Sequence, residues 1–355
     1  MDGLLIIDKP AGPTSHDIVA RMRRTLREKR IGHTGTLDPA ATGVLLLVLG
    51  KATRLAKFLS TSDKAYEAVV RFGFATDTAD AQGQPIGPVW KGLPPSREAI
   101  ERTLDEFRGT YLQQPPAFSA KKIAGKRSHK LARARARAAT DAQELDARPK
   151  PSRYNDVSDP RELAPTDPFE PNLTNLPDPS DLPDVVALPA PTSVTVRRLE
   201  IVSLEAEYVT LHVDCSAGFY VRSLAHDMGE RLGVGAHIAG LRRTRTGDFT
   251  IEQAMDFDTA ERDPEGTAAA LVPLADMLPR MASVTLTADG VLRALHGREI
   301  RPADALRTKD IGPRTTADEG PGTTFIRLLD QGGALIGVAT PATTPGALHP
   351  SVVLV

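Results

Sequence analysis

Residues 31–49 read Ile31-Gly32-His33-Thr34-Gly35-Thr36-Leu37-Asp38-Pro39-Ala40-Ala41-Thr42-Gly43-Val44-Leu45-Leu46-Leu47-Val48-Leu49, and the rest of the chain is interpreted outward from them. The unbroken apolar run from Val44 to Leu49 is the pattern of a buried strand. The segment before it, with Gly32, Gly35, Gly43, Pro39 and small hydroxyl residues, reads as a loop free to take special backbone angles. A rigid strand behind such a loop would hold Asp38 still, and a carboxylate so held can attack carbon. Asp-Pro is also a common turn pair, in which Asp38 would only stabilise the turn. The loop by itself leaves both readings open.

Gly32-His33-Thr34-Gly35-Thr36-Leu37-Asp38-Pro39, followed by Ala41-Thr42-Gly43-Val44-Leu45, resembles the nucleophile motif of the TruB family of tRNA pseudouridine-55 synthases. The resemblance implies that Asp38 is the catalytic residue. Upstream, Leu5-Ile6-Ile7-Asp8-Lys9-Pro10-Ala11-Gly12-Pro13-Thr14-Ser15 resembles the opening motif of the same family.

Composition sets the bounds. The chain has 355 residues, 41% hydrophobic and 25% charged, which is ordinary for a soluble protein with a large core. A single cysteine, Cys215, excludes an intrachain disulfide and any thiolate cluster for zinc or iron. No apolar run reaches the roughly 18 residues of a membrane span, and the start of the chain lacks the order of a signal peptide. A cytoplasmic protein in a reducing compartment is expected. The net charge of −1 conceals strong segregation, and where the charges lie matters more than their sum.

Taken in order, residues 3–8 predict a short buried strand ended by Lys9-Pro10-Ala11-Gly12-Pro13. Thr14 or Ser15 then caps a helix with Ile18, Val19, Met22 and Leu26 on its apolar face. Its other side carries Arg21, Arg23, Arg24, Arg27, Lys29 and Arg30 against Glu28, a solvated face or, so near the Asp38 loop, a phosphate-contacting one. Gly50-Lys51 is not a phosphate loop, because the first glycine of that motif would fall on Leu45. Residues 51–59 read as a short helix and 64–74 as an alternating strand containing Tyr66. The resemblance places Tyr66 on the base-binding wall of the site, while Asp77 and Asp80 read as turn-stabilising side chains. Residues 96–107 predict a capped amphipathic helix on Ile100, Leu104 and Phe107.

Residues 114–126 resemble the family segment beside its RNA-binding surface. Lys121, Lys122, Lys126, Arg127, Lys130, Arg133, Arg135 and Arg137 follow one another with no acid between them, the electrostatic footprint of a phosphate backbone. Here the sequence also departs from the family, with His129 where a tyrosine is usual and Ala-Arg-Ala-Arg-Ala at residues 134–138 in place of Ala-Arg-x-Gly. Residues 141–192 are rich in proline and acid with scarcely any aliphatic pattern, so they are read as a disordered insertion. Folded back over the basic segment, its carboxylates would act as a charge-based brake on RNA binding.

Order resumes with strands at 194–202 and 208–215, then a strand-turn-helix over 215–229 with Tyr220, Leu224 and Met228 as an apolar stripe. That segment resembles the family's C-S-x-G-T-Y-I-R-x-L-x-x-D-x-G, with Phe219 in place of Thr, and the resemblance makes Arg222 the active-site arginine. A guanidinium fork keeps a partly buried carboxylate ionised and fixes its orientation. Residues 237–249 resemble L-R-R-T-x-x-G-x-F, which implies that Leu241 lines the base pocket. Arg242, Arg243 and Arg245 either add phosphate contacts or are solvated. Short strands at 284–286, 324–329 and 334–340, with a helix at 288–296, resemble the PUA-type RNA-binding domain found at the end of this family.

The resemblance therefore implies an α+β chain of pseudouridine synthase fold, a mixed and largely antiparallel central sheet flanked by helices, with a small C-terminal mostly β PUA-like domain. Residues 1–280 would form the catalytic domain, interrupted by 141–192, and 281–355 the RNA-binding one. It implies isomerisation of uridine 55 in the T-arm loop of tRNA to pseudouridine, with Asp38 as nucleophile assisted by Arg222 and Tyr66. His33, Leu241, Lys9, Lys122 and Arg133 are the substrate-binding candidates. No metal or cofactor is called for, since nothing is oxidised and no group is transferred, and a monomer is expected. The alternatives are a non-catalytic tRNA-binding or folding protein, and a guide-RNA-dependent synthase subunit.

Overall fold

The computed structural model describes residues 1–116, 122–123, 126–127, 189–309 and 324–354. The chain divides into two compact units, Met1–Gln113 with Thr192–Val355, and Gln114–Pro191. In the second, the described secondary structure is a short antiparallel ladder of Lys122–Ile123 with Lys126–Arg127. The remaining basic residues of 121–137 and nearly all of the expected insertion at 141–192 lie outside the described residues.

The first unit is built on a ten-stranded mixed sheet. Its strands are β1 (Gly3–Lys9), β2 (Ile31–Thr34), β3 (Thr42–Leu49), β4 (Lys64–Phe72), β5 (Gly109–Gln113), β6 (Thr192–Glu205), β7 (Tyr208–Cys215), β8 (Ala236–Thr246), β9 (Phe249–Thr250) and β10 (Met255–Asp256). They lie in the order β10-β1-β3-β8-β4-β7-β6-β5, with β2 alongside β3 and β9 alongside β8. All neighbours are antiparallel except β1 with β10 and β3 with β8.

The continuous apolar run of β3 is explained by burial on both faces. Leu45, Leu47 and Leu49 enter one core cluster, and Val44, Leu46 and Val48 enter the other. On the first face lie α1 (Ser15–Thr25), α3 (Arg97–Asp105) and α4 (Val221–Leu232), contributing Ile18, Met22, Ile100, Leu104, Leu224 and Met228, with α2 (Ala56–Ser60) on the opposite side. The second face is covered by Leu55 and Phe58 and by Met277, Phe325 and Val338 from the C-terminal region. β7, in contrast, buries Val209, Leu211, Val213 and Cys215 and leaves Tyr208, Thr210, His212 and Asp214 partly exposed, because only one of its faces is covered.

Thr14 is the cap of α1, in a capping box with Asp17. Ser96 caps α3 by accepting a hydrogen bond from the Ala99 amide. Two expectations change. Ile31–Thr34 is not loop but strand, because its backbone finds the free edge of Leu46–Leu49. Residues 51–59 do not make one helix, but a 3-10 turn over Gly50–Leu55 running into α2.

After α5 (Phe257–Arg262) and α6 (Pro264–Ala269), a C-terminal five-stranded sheet is formed by β11 (Ser283–Leu286), β12 (Ala305–Lys309), β13 (Ile326–Leu329), β14 (Leu335–Pro341) and β15 (Leu348–Val353), with α7 (Ala288–Leu295) against it. Sequence pattern alone does not predict β12 and β15. The first carries two cations in five residues, and the second carries Pro350, which an edge strand tolerates.

β5 and β6 pair in register from Gly109 opposite Val196 to Gln113 opposite Thr192, so Gln114–Pro191 departs and returns at a single hydrogen-bonded pair of strands.

Gly43, at the start of β3, has φ 99°, and a Cβ there would sit 2.2 Å from the Arg243 carbonyl oxygen. Gly43→Ala is therefore expected to lower stability by at least about 1–3 kcal/mol. Urea unfolding measures this, and an unchanged midpoint would mean that β3 and β8 are not this close.

Candidate active site

The Asp38 loop is fastened on both sides of the carboxylate. The hydroxyl of Ser15, the first residue of α1, donates to the Leu37 carbonyl at 3.1 Å and accepts from the Leu37 amide at 2.9 Å. The Leu37 side chain is buried in the core. Beyond Asp38, the Pro39 carbonyl accepts from the Gly12 amide at 2.9 Å. The Lys9 ammonium donates to the carbonyls of Pro10, Pro39 and Ala41 at 2.8, 3.1 and 2.8 Å. With its neighbours anchored, the Asp38 side chain is left 41% exposed, accessible yet held at its root.

Arg222 projects from the first turn of α4. That turn is fixed by Gln113, whose amide donates to the Tyr220 carbonyl and accepts from the Tyr220 amide at 3.0 and 2.8 Å. Arg222 Nε lies 3.0 Å from Asp38 Oδ2, and Nη2 donates to Oδ1 at 3.3 Å, a two-pronged contact. Nη1 donates to the Thr78 carbonyl at 3.0 Å and lies 3.7 Å from Asp80 Oδ2. Asp80 is itself held by the Thr78 hydroxyl and the Gln82 amide. Asp77 keeps the turn role read from sequence, accepting from the Gln84 amide. Asp80 does more, because its second oxygen faces Arg222.

Tyr66 is buried on β4, beside the Arg243 guanidinium. Burial pushes its phenol up, and the Arg243 charge works against that rise. Leu241, on β8 opposite Ala68, is partly buried against the same core cluster as Tyr66. His33, on β2, meets His16 edge to face at 5.1 Å. Burial, followed by the charges of His16 and Arg243, pushes its imidazole down to about 4.

One arginine and one lysine differ from the sequence reading. Lys9, expected to contact substrate, has no exposed surface, and its three carbonyl partners make it a fastener of the loop. Burial pushes its ammonium down to about 8, with Asp38 opposing. Arg243, expected to be solvated or on phosphate, is 1% exposed and runs beneath the loop. Arg242 turns away to Asp8 at 2.7 Å. The Lys122 side chain and Arg133 lie outside the described residues. Among the described residues no group of His, Cys, Asp and Glu could hold a metal ion, and no helix is long and apolar enough to cross a membrane.

The site is thus an ionic fork presenting one accessible carboxylate near a buried tyrosine. Residues 23–147 match the TruB family pseudouridylate synthase (N terminal domain), and residues 222–273 the tRNA pseudouridylate synthase B C-terminal domain. The tRNA pseudouridine synthase B of Solibacter usitatus is 35% identical over 356 residues, covering 100% of both chains. That of Pseudomonas aeruginosa is 33% identical over 355 residues, covering 99% of this chain and 95% of its own. In the solved structure of an H/ACA RNP bound to a substrate RNA containing 2′-deoxyuridine, one chain superposes with a TM-score of 0.63 at 21% identity, covering 99% of this chain and 85% of that one. The architecture is the pseudouridine synthase fold. Within it, the chain belongs to the TruB family.

The depressed His33 has a consequence for acid stability. Unfolded, it takes up a proton below its ordinary 6.5; folded, only near 4. The unfolded chain binds more protons in that window, so the stability present above 6.5 is lost as pH falls toward 4. In His33→Gln this loss disappears, and the stability difference from the parent should move in the variant's favour over the same range. A pH-independent difference in denaturant midpoints would show that His33 titrates normally.

Proposed function

We propose that the chain isomerises uridine 55 in the T-arm loop of tRNA to pseudouridine, with Asp38 as the attacking group. The observation that carries the reading is the Arg222–Asp38 fork on a pinned loop, in a chain 35% identical over its whole length to a tRNA pseudouridine synthase B. The N1–C1′ bond breaks, the uracil turns, C5 bonds to C1′, and the proton lost from C5 is balanced by one gained at N1. Displacement at C1′ and elimination to a glycal both use the same Asp38 oxygen. The two-pronged contact with Arg222 keeps it aimed.

The target nucleotide has to leave its stack to reach this carboxylate. Tyr66 then supplies an aromatic wall, Leu241 excludes water, and His33 packs against the rearranged RNA. Lys122 and Arg133 contact phosphates as part of the basic segment, and residues 281–355 act as a PUA-like RNA-binding domain beside a catalytic domain of 1–280. The chain works in the cytoplasm as a monomer on bare tRNA, without cofactor. Full-length similarity to tRNA pseudouridine synthase B favours this over guide-RNA dependence or a non-catalytic role.

The test is to incubate purified protein with an unmodified tRNA transcript, no other RNA present, and map pseudouridine; no product at position 55 rejects the reading. Asp38→Asn is expected to bind tRNA like the parent and form no product, because the near-isosteric amide is not a nucleophile. Substantial turnover would remove Asp38 from its role. Arg222→Lys should lose about 100-fold in rate, since a point charge cannot reproduce the fork. A rate equal to wild type would show that Arg222 does not orient Asp38.

A further inference from the structure

We infer that Gln113 is a positioning residue for the isomerisation, acting through Tyr220 on the aim of Arg222; this rests on the function proposed above. Arg222 is the second residue of α4, so its direction follows from the way the chain enters that helix. Tyr220, the N-cap, makes no side-chain cap hydrogen bond, and the entry is held from outside. Residues 216–220, which lead into the helix, hang from the edge of the sheet at both ends. At one end the Ser216 amide donates to the Thr195 carbonyl at 2.8 Å, and the Ser216 hydroxyl accepts from the Thr195 amide at 2.9 Å. At the other, the Gln113 side chain closes its two bonds with Tyr220. Between them Phe219, which stands where the family has threonine, is buried in the same core cluster as Leu224. Thr195 lies on β6 and Gln113 on β5, and these two strands pair with each other.

Gln113 is 2% exposed, and its amide nitrogen and oxygen both go to Tyr220. A side-chain amide carries a donor and an acceptor side by side, as a peptide group does. Gln113 therefore pairs with Tyr220 as a neighbouring strand residue would. Starting the helix does not by itself require this, because the Tyr220 carbonyl also accepts from the Leu224 amide at 3.2 Å. What the clasp adds is the angle at which α4 sets out. Two residues on, Arg222 must bring Nε to 3.0 Å and Nη2 to 3.3 Å from the two oxygens of Asp38, with Nη1 tied to the Thr78 carbonyl. A contact so constrained tolerates little movement, and a misplacement of about 1 Å at a reacting group costs about 100-fold in rate. Gln113 thus governs the fork through backbone it grips two residues upstream.

The experiment is a double-mutant cycle on kcat with unmodified tRNA transcript, using wild type, Gln113→Met, Arg222→Lys and the double variant. Methionine fills a similar volume and makes neither bond to Tyr220. Gln113→Met is expected to lower kcat by at least about tenfold while KM stays within about threefold, since the loss is one of orientation. In the Arg222→Lys background, where the fork is already gone, the same change should cost no more than about threefold, because residues acting through one another do not add. An unchanged kcat, or equal factors in both backgrounds, would overturn the inference and leave Gln113 as a support of the fold. If Gln113→Met does not fold, Gln113→Asn, which keeps the amide one methylene short of Tyr220, is carried through the same cycle with the same criterion. Absence of product from the wild type would overturn the proposed function itself and this inference with it.

Discussion

A carboxylate that is to attack carbon must be reachable and still, and the fork between Arg222 and Asp38 joins the two demands. Access comes from the loop, which lets the side chain stand out while Leu37 is driven into the core. Stillness comes from elsewhere in the fold: α1 through Ser15, β1 through Lys9, β8 through Arg243, and the Gln113–Tyr220 clasp that sets the start of α4. Each of these groups is a positioned donor, so little reorganisation is left for the reaction to perform.

The supporting shell is unusual in its charge. Lys9, Lys64 and Arg243 are all buried around the loop, and their hydrogen bonds go mainly to backbone carbonyls. Burial pushes both lysines down to about 8, and Arg243 adds to the fall of each. Carbonyl partners satisfy these cations without placing further carboxylates against the loop, so the local field stays positive. That field suits an approaching phosphate backbone.

Much of this was legible in the sequence, and the rest was hidden for identifiable reasons. An apolar run as long as Val44–Leu49 admits few readings, and the alternation of β7 marks its limits, Tyr208 and Cys215, without error. The pairing of Asp38 with Arg222 followed from motif resemblance, since the two lie far apart in the chain and no local pattern joins them. Lys9 and Arg243 mislead because a lysine or arginine is ordinarily solvated, and whether one is buried depends on carbonyls supplied by distant strands. Asp80 looks like a turn residue and is one; its second oxygen acquires meaning only when α4 brings Arg222 across. Ile31–Thr34 looks like loop because its glycine and polar residues carry no strand signal, and its partner edge is set by the tertiary fold.

The point at which Gln114–Pro191 leaves the sheet has an evolutionary consequence. Because Gln113 and Thr192 are already partners in the β5–β6 ladder, the excursion begins and ends at one doorway, and its length is decoupled from the scaffold. Closing a longer excursion costs only about 0.6 kcal/mol per doubling, so this doorway can admit lineage-specific additions while the catalytic framework stays unchanged.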